Sequence, residues 1–185
     1  SVSSTFAPVT VSSADYVSGN PVPSGGAASL FGVNLATSSQ LGSGSPPATT
    51  LAGTTVSVKD SLGVSRAAGI FYASPTQINF LMPDATAAGV ATITVTAGDG
   101  TVSAGTVTVA AVQPGIFTLT SDGRGIPVSQ IQRVRGTTDL GFESTFTFTG
   151  TAWATVPITW NDPNDSVYLV LYANGTRKNS GLSAA

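Results

Sequence analysis

The sequence predicts an all-β protein: a β-sandwich, then a second and smaller β unit, with an extended arm at the N-terminus. Three observations carry this. The 185 residues are 41% hydrophobic but only 9% charged, with serine, threonine, glycine, valine and alanine filling the gap; a globular chain ordinarily carries ~25% charge. Apolar residues recur with a period of two, which suits a strand with one face buried, and no sustained helical period is present. The 21 glycines and 11 prolines fall between these runs, where turns need them.

The arm is residues 1–8, SVSSTFAP, in which Val2 and Phe6 are apolar and Pro8 interrupts; it reads either as a frayed terminus ahead of a first strand or as an arm that pairs with another subunit. Val9 and Val11 then alternate with Thr10 and Ser12 as a short strand. Residues 17–28 read as loop, ending in Pro23-Ser24-Gly25-Gly26, and residues 27–35 as a strand. A Ser/Gly/Pro-rich surface loop follows over 36–47, then a strand over 51–58 with Val56 and Val58 on one face. Lys59-Asp60-Ser61-Leu62-Gly63 turns the chain into residues 67–73.

Residues 70–83, IFYASPTQINFLMP, organise the rest. They read as a hairpin whose turn is Ser74-Pro75-Thr76-Gln77, with Pro75 at the position where its fixed φ is already correct. On the return strand Ile78, Phe80 and Met82 share one face and Gln77, Asn79 and Leu81 the other, and Pro83, lacking an N–H, ends the ladder. A strand over 90–97 places Ala91, Ile93 and Val95 inward with threonines outward, and Gly98-Asp99-Gly100 is a hairpin turn. In the returning strand the apolar parity changes from Val102 and Ala104 to Val107 and Val109, which predicts a β-bulge at Gly105. About seven short strands at this spacing fit an Ig-like sandwich over residues 9–112.

Gln113-Pro114-Gly115 marks the boundary to the second unit, residues 113–185. A strand over 126–134 is followed by one with Phe142, Phe146 and Phe148 on one face, then by Trp153, Val156, Ile158 and Trp160. Asp162-Pro163-Asn164-Asp165 is a turn, and residues 167–172 are the most apolar strand of this half. Ser29-Leu30-Phe31-Gly32-Val33-Asn34 and Leu169-Val170-Leu171-Tyr172-Ala173-Asn174 form a weak internal repeat.

The organising hairpin, with its Phe-Tyr, Ser-Pro and Gln-Ile-Asn-Phe in that order, resembles the Solibacter-type uncharacterised C-terminal domain family of bacterial secreted proteins. Four further segments agree: Val11-Ser12-Ser13-Ala14-Asp15-Tyr16, Ser29-Leu30-Phe31-Gly32-Val33-Asn34-Leu35, Gln113-Pro114-Gly115-Ile116-Phe117 and Val167-Tyr168-Leu169-Val170-Leu171-Tyr172. Together they span roughly residues 9–182. The resemblance implies an Ig-like, IPT/TIG-like β fold and carries no established activity. In that family the last of these segments opens a second Ig-like unit of several more strands, which is incomplete in residues 113–185. Either another segment pairs with the open edges or the chain is truncated.

Composition bounds function. A net charge of −2 with no basic cluster larger than Arg133/Arg135 or Arg177/Lys178 argues against nucleic acid. No apolar run reaches the ~18 residues a spanning helix needs. The chain has neither histidine nor cysteine, so the usual triads, thiol nucleophiles and zinc sites are absent and no cofactor is called for. No catalytic residue is assigned. The nine carboxylates are scattered; Asp162/Asp165 and Asp139/Glu143 read as solvated turns, without the ligand density of a calcium loop, and no metal is assigned. Trp153, Trp160, Tyr168 and Tyr172 read as core or half-buried strand aromatics, or alternatively as a carbohydrate-stacking face. Asn164-Asp165-Ser166 and Asn174-Gly175-Thr176 fit the N-glycosylation pattern, making Asn164 and Asn174 candidate acceptors.

The start at Ser1 without Met suggests a processed product or a fragment, and low charge with Ser/Thr richness resembles bacterial surface and secreted proteins. The sequence therefore predicts a non-enzymatic, extracellular structural subunit that polymerises into a bacterial fibre or pilus-like helical filament of identical copies. The alternative is a non-catalytic carbohydrate- or protein-binding adhesion module of a larger secreted protein. Polymerisation would use donor-strand exchange: residues 1–13 carry no charge, and Val2, Phe6, Val9 and Val11 would complete a sheet in a neighbour. Burying four such side chains contributes roughly 6–12 kcal/mol, at about 1.5–3 each, against a comparable ordering cost for some ten residues.

Overall fold

The computed structural model describes residues 7–160 and 162–178. It is all-β: there is no helix among the described residues, and so none long and apolar enough to cross a membrane.

The first unit holds ten strands: β1 (Val9–Ser12), β2 (Val22–Pro23), β3 (Ala27–Phe31), β4 (Gln40–Leu41), β5 (Thr50–Leu51), β6 (Thr54–Lys59), β7 (Ser65–Ala73), β8 (Gln77–Leu81), β9 (Gly89–Thr96) and β10 (Val102–Ala110). Their order is β1-β3-β8-β7-β6-β9-β10-β2, with β4 added to β7 and β5 to β6. β7 makes this a sandwich. Its first part pairs with β6 (Ser65 to Lys59, Ala68 to Val56), and its second part with β8 (Gly69 to Leu81, Ala73 to Ile78). The strand thus passes from one layer to the other between Ala68 and Gly69. Between the layers lie Leu30, Ile70, Ile78, Phe80 and Met82 from one side and Val56, Val58, Ala91, Ile93, Val95 and Val109 from the other.

The hairpin forms for the reasons its residues give. Ser74 N–H donates to Gln77 O at 2.8 Å, and the Ser74 hydroxyl oxygen accepts from Gln77 N–H at 2.9 Å, closing the turn on itself. Ile78, Phe80 and Met82 are fully buried. The turn carbonyls hold the loop that follows β3: Pro75 O accepts from Leu35 N–H and Thr76 O from Gly32 N–H.

The bulge expected at Gly105 is absent. The β9–β10 ladder runs without a shift from Val102 opposite Thr96 to Val109 opposite Gly89. Ser103, Gly105, Val107 and Val109 all point inward, and Val102 and Ala104 point out. The parity change in the sequence has another cause. The carbonyl of Pro8 occupies the space a side chain at 105 would fill, so this inward position is restricted to glycine. Register shifts occur elsewhere, at Phe71 in β7 and at Arg133 in the second unit. The same approach of Pro8 brings β1 against β10, so the two ends of the sheet nearly meet, with a cavity of about 400 Å³ between them.

The second unit contains β11 (Gly115–Ile116), β12 (Ser129–Arg135), β13 (Thr138–Ser144), β14 (Phe146–Phe148), β15 (Trp153–Thr155), β16 (Asp165–Leu171) and β17 (Ala173–Asn174). β12 is the centre of a three-stranded sheet, β13-β12-β16, and β14-β15 and β11-β17 are two-stranded pairs. The three phenylalanines expected on one strand are divided, Phe142 on β13 and Phe146 and Phe148 on β14.

Asn174 holds the two units together. Its Oδ1 accepts from Ala27 N–H at 2.9 Å, and its Nδ2 donates to Ala27 O at 2.8 Å and to Ser12 Oγ at 3.2 Å. The side-chain amide thus acts as one more rung at the start of β3. Both Nδ2 hydrogens are used and the residue is buried, so the reading of Asn174 as a glycan acceptor is corrected: the folded chain has no room for a sugar there. Asn164 is exposed in its turn, hydrogen-bonded to Asp162.

Candidate assembly interface

After Val109, the one buried hydrophobic residue among those described is Ile131. Leu140, Phe142, Phe148, Trp153, Trp160, Tyr168, Leu169 and Leu171 are all exposed. The second unit therefore presents to solvent the kind of surface that the first unit buries.

Directly opposed residues of an antiparallel pair share a face. Across β12 and β16 the opposed pairs are Ser129 and Leu171, Ile131 and Leu169, Arg133 and Val167, and Arg135 and Asp165. One face of this sheet is accordingly half apolar and half ionic. At the ionic end Arg133 Nε meets Glu143 Oε1 at 2.7 Å, its Nη1 meets Asp165 Oδ2 at 3.4 Å, and its Nη2 donates to Thr159 O at 3.0 Å. Arg135 Nε donates to Asp165 Oδ1 at 2.7 Å, and its Nη2 lies 3.3 Å from Asp162 Oδ2. The hydrogen bond from Arg135, together with Arg133, holds the Asp165 carboxyl below the usual carboxylate range despite its burial. Arg133 does the same to Glu143.

The reading of Asp162/Asp165 and Glu143 as solvated turns is thereby corrected: these carboxylates neutralise two arginines, one of them buried. Arg133 and Arg135 share the parity of Ile131, and that was the signal available in the sequence. Asp139, on the opposite edge strand, accepts from Gln132 Nε2 at 2.9 Å and from Gly141 N–H at 2.9 Å. No group of three or more metal-ligating residues occurs among the described residues.

At the apolar end, Leu169 and Leu171 line a groove of about 190 Å³ with Ile126, Val156 and Ile158. Val156 N–H bonds to Thr145 O, but residues 156–160 belong to no ladder. Beside the groove lies the edge of β16. Tyr172 N–H donates to Val128 O at 3.2 Å. The bonding side alternates along an antiparallel strand, so Val170, Tyr168 and Ser166 bond towards β12 and Val167, Leu169 and Leu171 turn their N–H and C=O outward. Among the described residues no strand pairs with that edge.

The residues singled out in the sequence fall in different places. Val9 and Val11 are in β1, paired within the chain to β3, Val9 opposite Phe31 and Val11 opposite Ser29, with Val11 buried. Reading them as part of an exchanged strand is corrected on this ground, since their ladder bonds are already used at home. Val2 and Phe6 lie outside the described residues. The four aromatics do not form one row. Trp153 packs on Phe146 and Phe148, with centroids at 5.6 and 5.1 Å. Tyr172 donates its hydroxyl to Gln130 Oε1, and Tyr168 stands opposite Gln132 on the outer face. Trp160, at 68% exposure, and Tyr168, at 56%, are more open than a half-buried strand position.

No protein-family model and no curated protein matches this chain.

Proposed function

We propose that the chain is a structural, non-enzymatic subunit of an extracellular bacterial fibre or pilus-like filament, assembled by adding the N-terminal segment of one copy to a sheet of the next. The observation that carries this is the open edge of β16: six residues without a charge after Asp165, exposed leucines among them, in a chain whose first unit nearly closes its own sheet. Natural proteins blunt such edges with charge, bulges or coverage, and an edge left open is a template for strand addition. The composition and the family resemblance support an extracellular bacterial setting. Negative-stain microscopy tests the reading: the intact chain forms regular filaments, whereas Phe6→Asp and a chain lacking residues 1–6 give dispersed, folded particles. Filaments of normal length from both variants would refute it.

A second reading has its own observation. Phe142, Gln132 and Tyr168 form a row across the outer face of the same sheet, with both rings exposed. Aromatic rings flanking an amide suit stacking on a carbohydrate, as in an adhesion module. Dispersed particles from the intact chain, with saturable glycan binding lost on Tyr168→Ala, would favour it.

A further inference from the structure

We infer that the acceptor for the N-terminal segment is the outer edge of β16 together with the groove beneath it, and that the donor is residues 1–6 of another copy, seated with Val2 and Phe6 on the face of the sheet that carries Leu169 and Leu171. This rests on the filament reading and goes beyond it by naming edge, face and partner.

Three further features select this site. The first is choice of edge. The other edge of the same sheet, β13, carries Asp139 and Glu143 and is interrupted by Gly141 at φ +93°. β16 has no such guard: from Ser166 to Tyr172 there is no charge, and Asp165 is occupied by arginines.

The second is pattern. Alternate residues of an extended segment share a face. In an added strand Val2, Ser4 and Phe6 would therefore share one side and Ser1, Ser3 and Thr5 the other. Added to β16, the first set faces the apolar groove and the polar set faces out beside Ser166 and Tyr168. Six extended residues span about 20 Å, close to the length of β16. Neither partner brings a charge that would need burying.

The third is direction. β1 runs from Val9 towards Ser12, and Ser12 is where Asn174 docks the second unit. Ala7 and Pro8 enter β1 from its other end, beside Gly32 and Gly105. A segment preceding Ala7 would have to double back along the sandwich to reach β16 of its own chain. The β16 of a neighbour needs no reversal. Donor and acceptor then differ, so the contact is heterologous and repeats into an open assembly.

The chain has no cysteine, so an engineered pair reports without background. Ser4 is the middle of the donor face and Leu169 the middle of the outward trio, so the two are within reach whether the added strand runs parallel or antiparallel. In the full chain, Ser4→Cys with Leu169→Cys should give, on oxidation, a ladder of covalent multimers that collapses on reduction. Ser4→Cys with Leu140→Cys on β13 should give none. A ladder from the β13 pair, or filaments without a ladder from the β16 pair, overturns the assigned edge while leaving the filament reading standing. Covalent dimers from Leu169→Cys alone would mean that β16 pairs with β16, which also overturns it. If oxidation is uninformative because the paired substitutions block assembly, Leu169→Lys in the otherwise native chain decides: folded subunits without filaments support the site, and filaments of normal length refute it. Absence of filaments from the unsubstituted chain would instead remove the reading on which this one rests.

Discussion

Three residues show how single positions are fixed. Gly105 is inward-facing on β10, and a Cβ there would strike the Pro8 carbonyl. Gly105→Val should therefore cost about 1–3 kcal/mol, as overpacking does, and should speed amide exchange in β1 selectively; an unchanged melting temperature would count against the contact. Asn174→Ala leaves the Ala27 N–H without its partner, a loss of about 1–3 kcal/mol for a buried group, read as a lower Tm, and mass spectrometry should find Asn174 unglycosylated in the chain expressed in a glycosylating host. Asp60 is the third. Its carboxylate accepts from Leu62 and Val64 N–H at 3.0 and 2.9 Å, from Arg66 Nη1 at 2.6 Å and from Ala87 N–H at 3.3 Å. Burial pushes its pKa up, but these donors outweigh it and bring the group to about 2. A pKa lowered on folding contributes stability above the unfolded value of about 3.9, and that contribution is lost as pH falls towards 2. Between about pH 4 and pH 2 the native chain should lose stability more steeply than Asp60→Asn, which should start lower at neutral pH; parallel acid-unfolding curves would contradict this. The turn at 59–63 was legible from its residues, but the reach of Asp60 to Ala87 was not, because it depends on which loops the fold brings together.

Among the elements, the hairpin of β7 and β8 was the most legible, since Pro75 and the alternation of Ile78, Phe80 and Met82 act locally. What local pattern could not supply was the passage of β7 between layers, or the identity of the inward positions on β10. There the inward set includes Ser103 and Gly105, neither of them apolar, and at Gly105 the Pro8 carbonyl leaves no room for a side chain. The ionic end of β12 was hidden for a related reason: Asp165 and Glu143 are distant in sequence from Arg133 and meet it only through strand pairing. β16 was recognisable as the most apolar strand of its half, but apolarity alone could not tell that Leu169 is 54% exposed. With Val9 and Val11 committed to β1, the donor is left with Val2 and Phe6, whose burial contributes roughly 3–6 kcal/mol. Ordering six residues costs roughly 6–12 kcal/mol, so ladder bonds of about 0.5–1.5 kcal/mol each have to close the gap. On this balance Phe6→Ala should raise the critical concentration for assembly by roughly 10- to 100-fold, the equivalent of about 1.5–3 kcal/mol. Light scattering across a concentration series measures it, and an unchanged threshold would place Phe6 outside the contact.

At the scale of the whole molecule, the two units treat their edges oppositely. The first brings β1 and β10 together and buries its large apolar residues in one cluster; the second keeps one buried hydrophobic residue and leaves the outer edge of β16 without a partner among the described residues. β10 ends at Ala110, a few residues before the Gln113-Pro114-Gly115 at which the sequence reading sets its boundary. The joint itself, built on Asn174, was not legible, because an asparagine side chain completing a ladder leaves no periodic trace. In the proposed filament the outer edge of β16, open among the described residues, takes the N-terminal segment of another copy. This is tested most directly by titrating a synthetic peptide of residues 1–8 into the full chain carrying Phe6→Asp, which supplies the acceptor without a competent donor. Saturable one-to-one binding by calorimetry is expected, abolished when the acceptor also carries Leu169→Lys. An absence of binding, or binding that Leu169→Lys leaves unchanged, would contradict it.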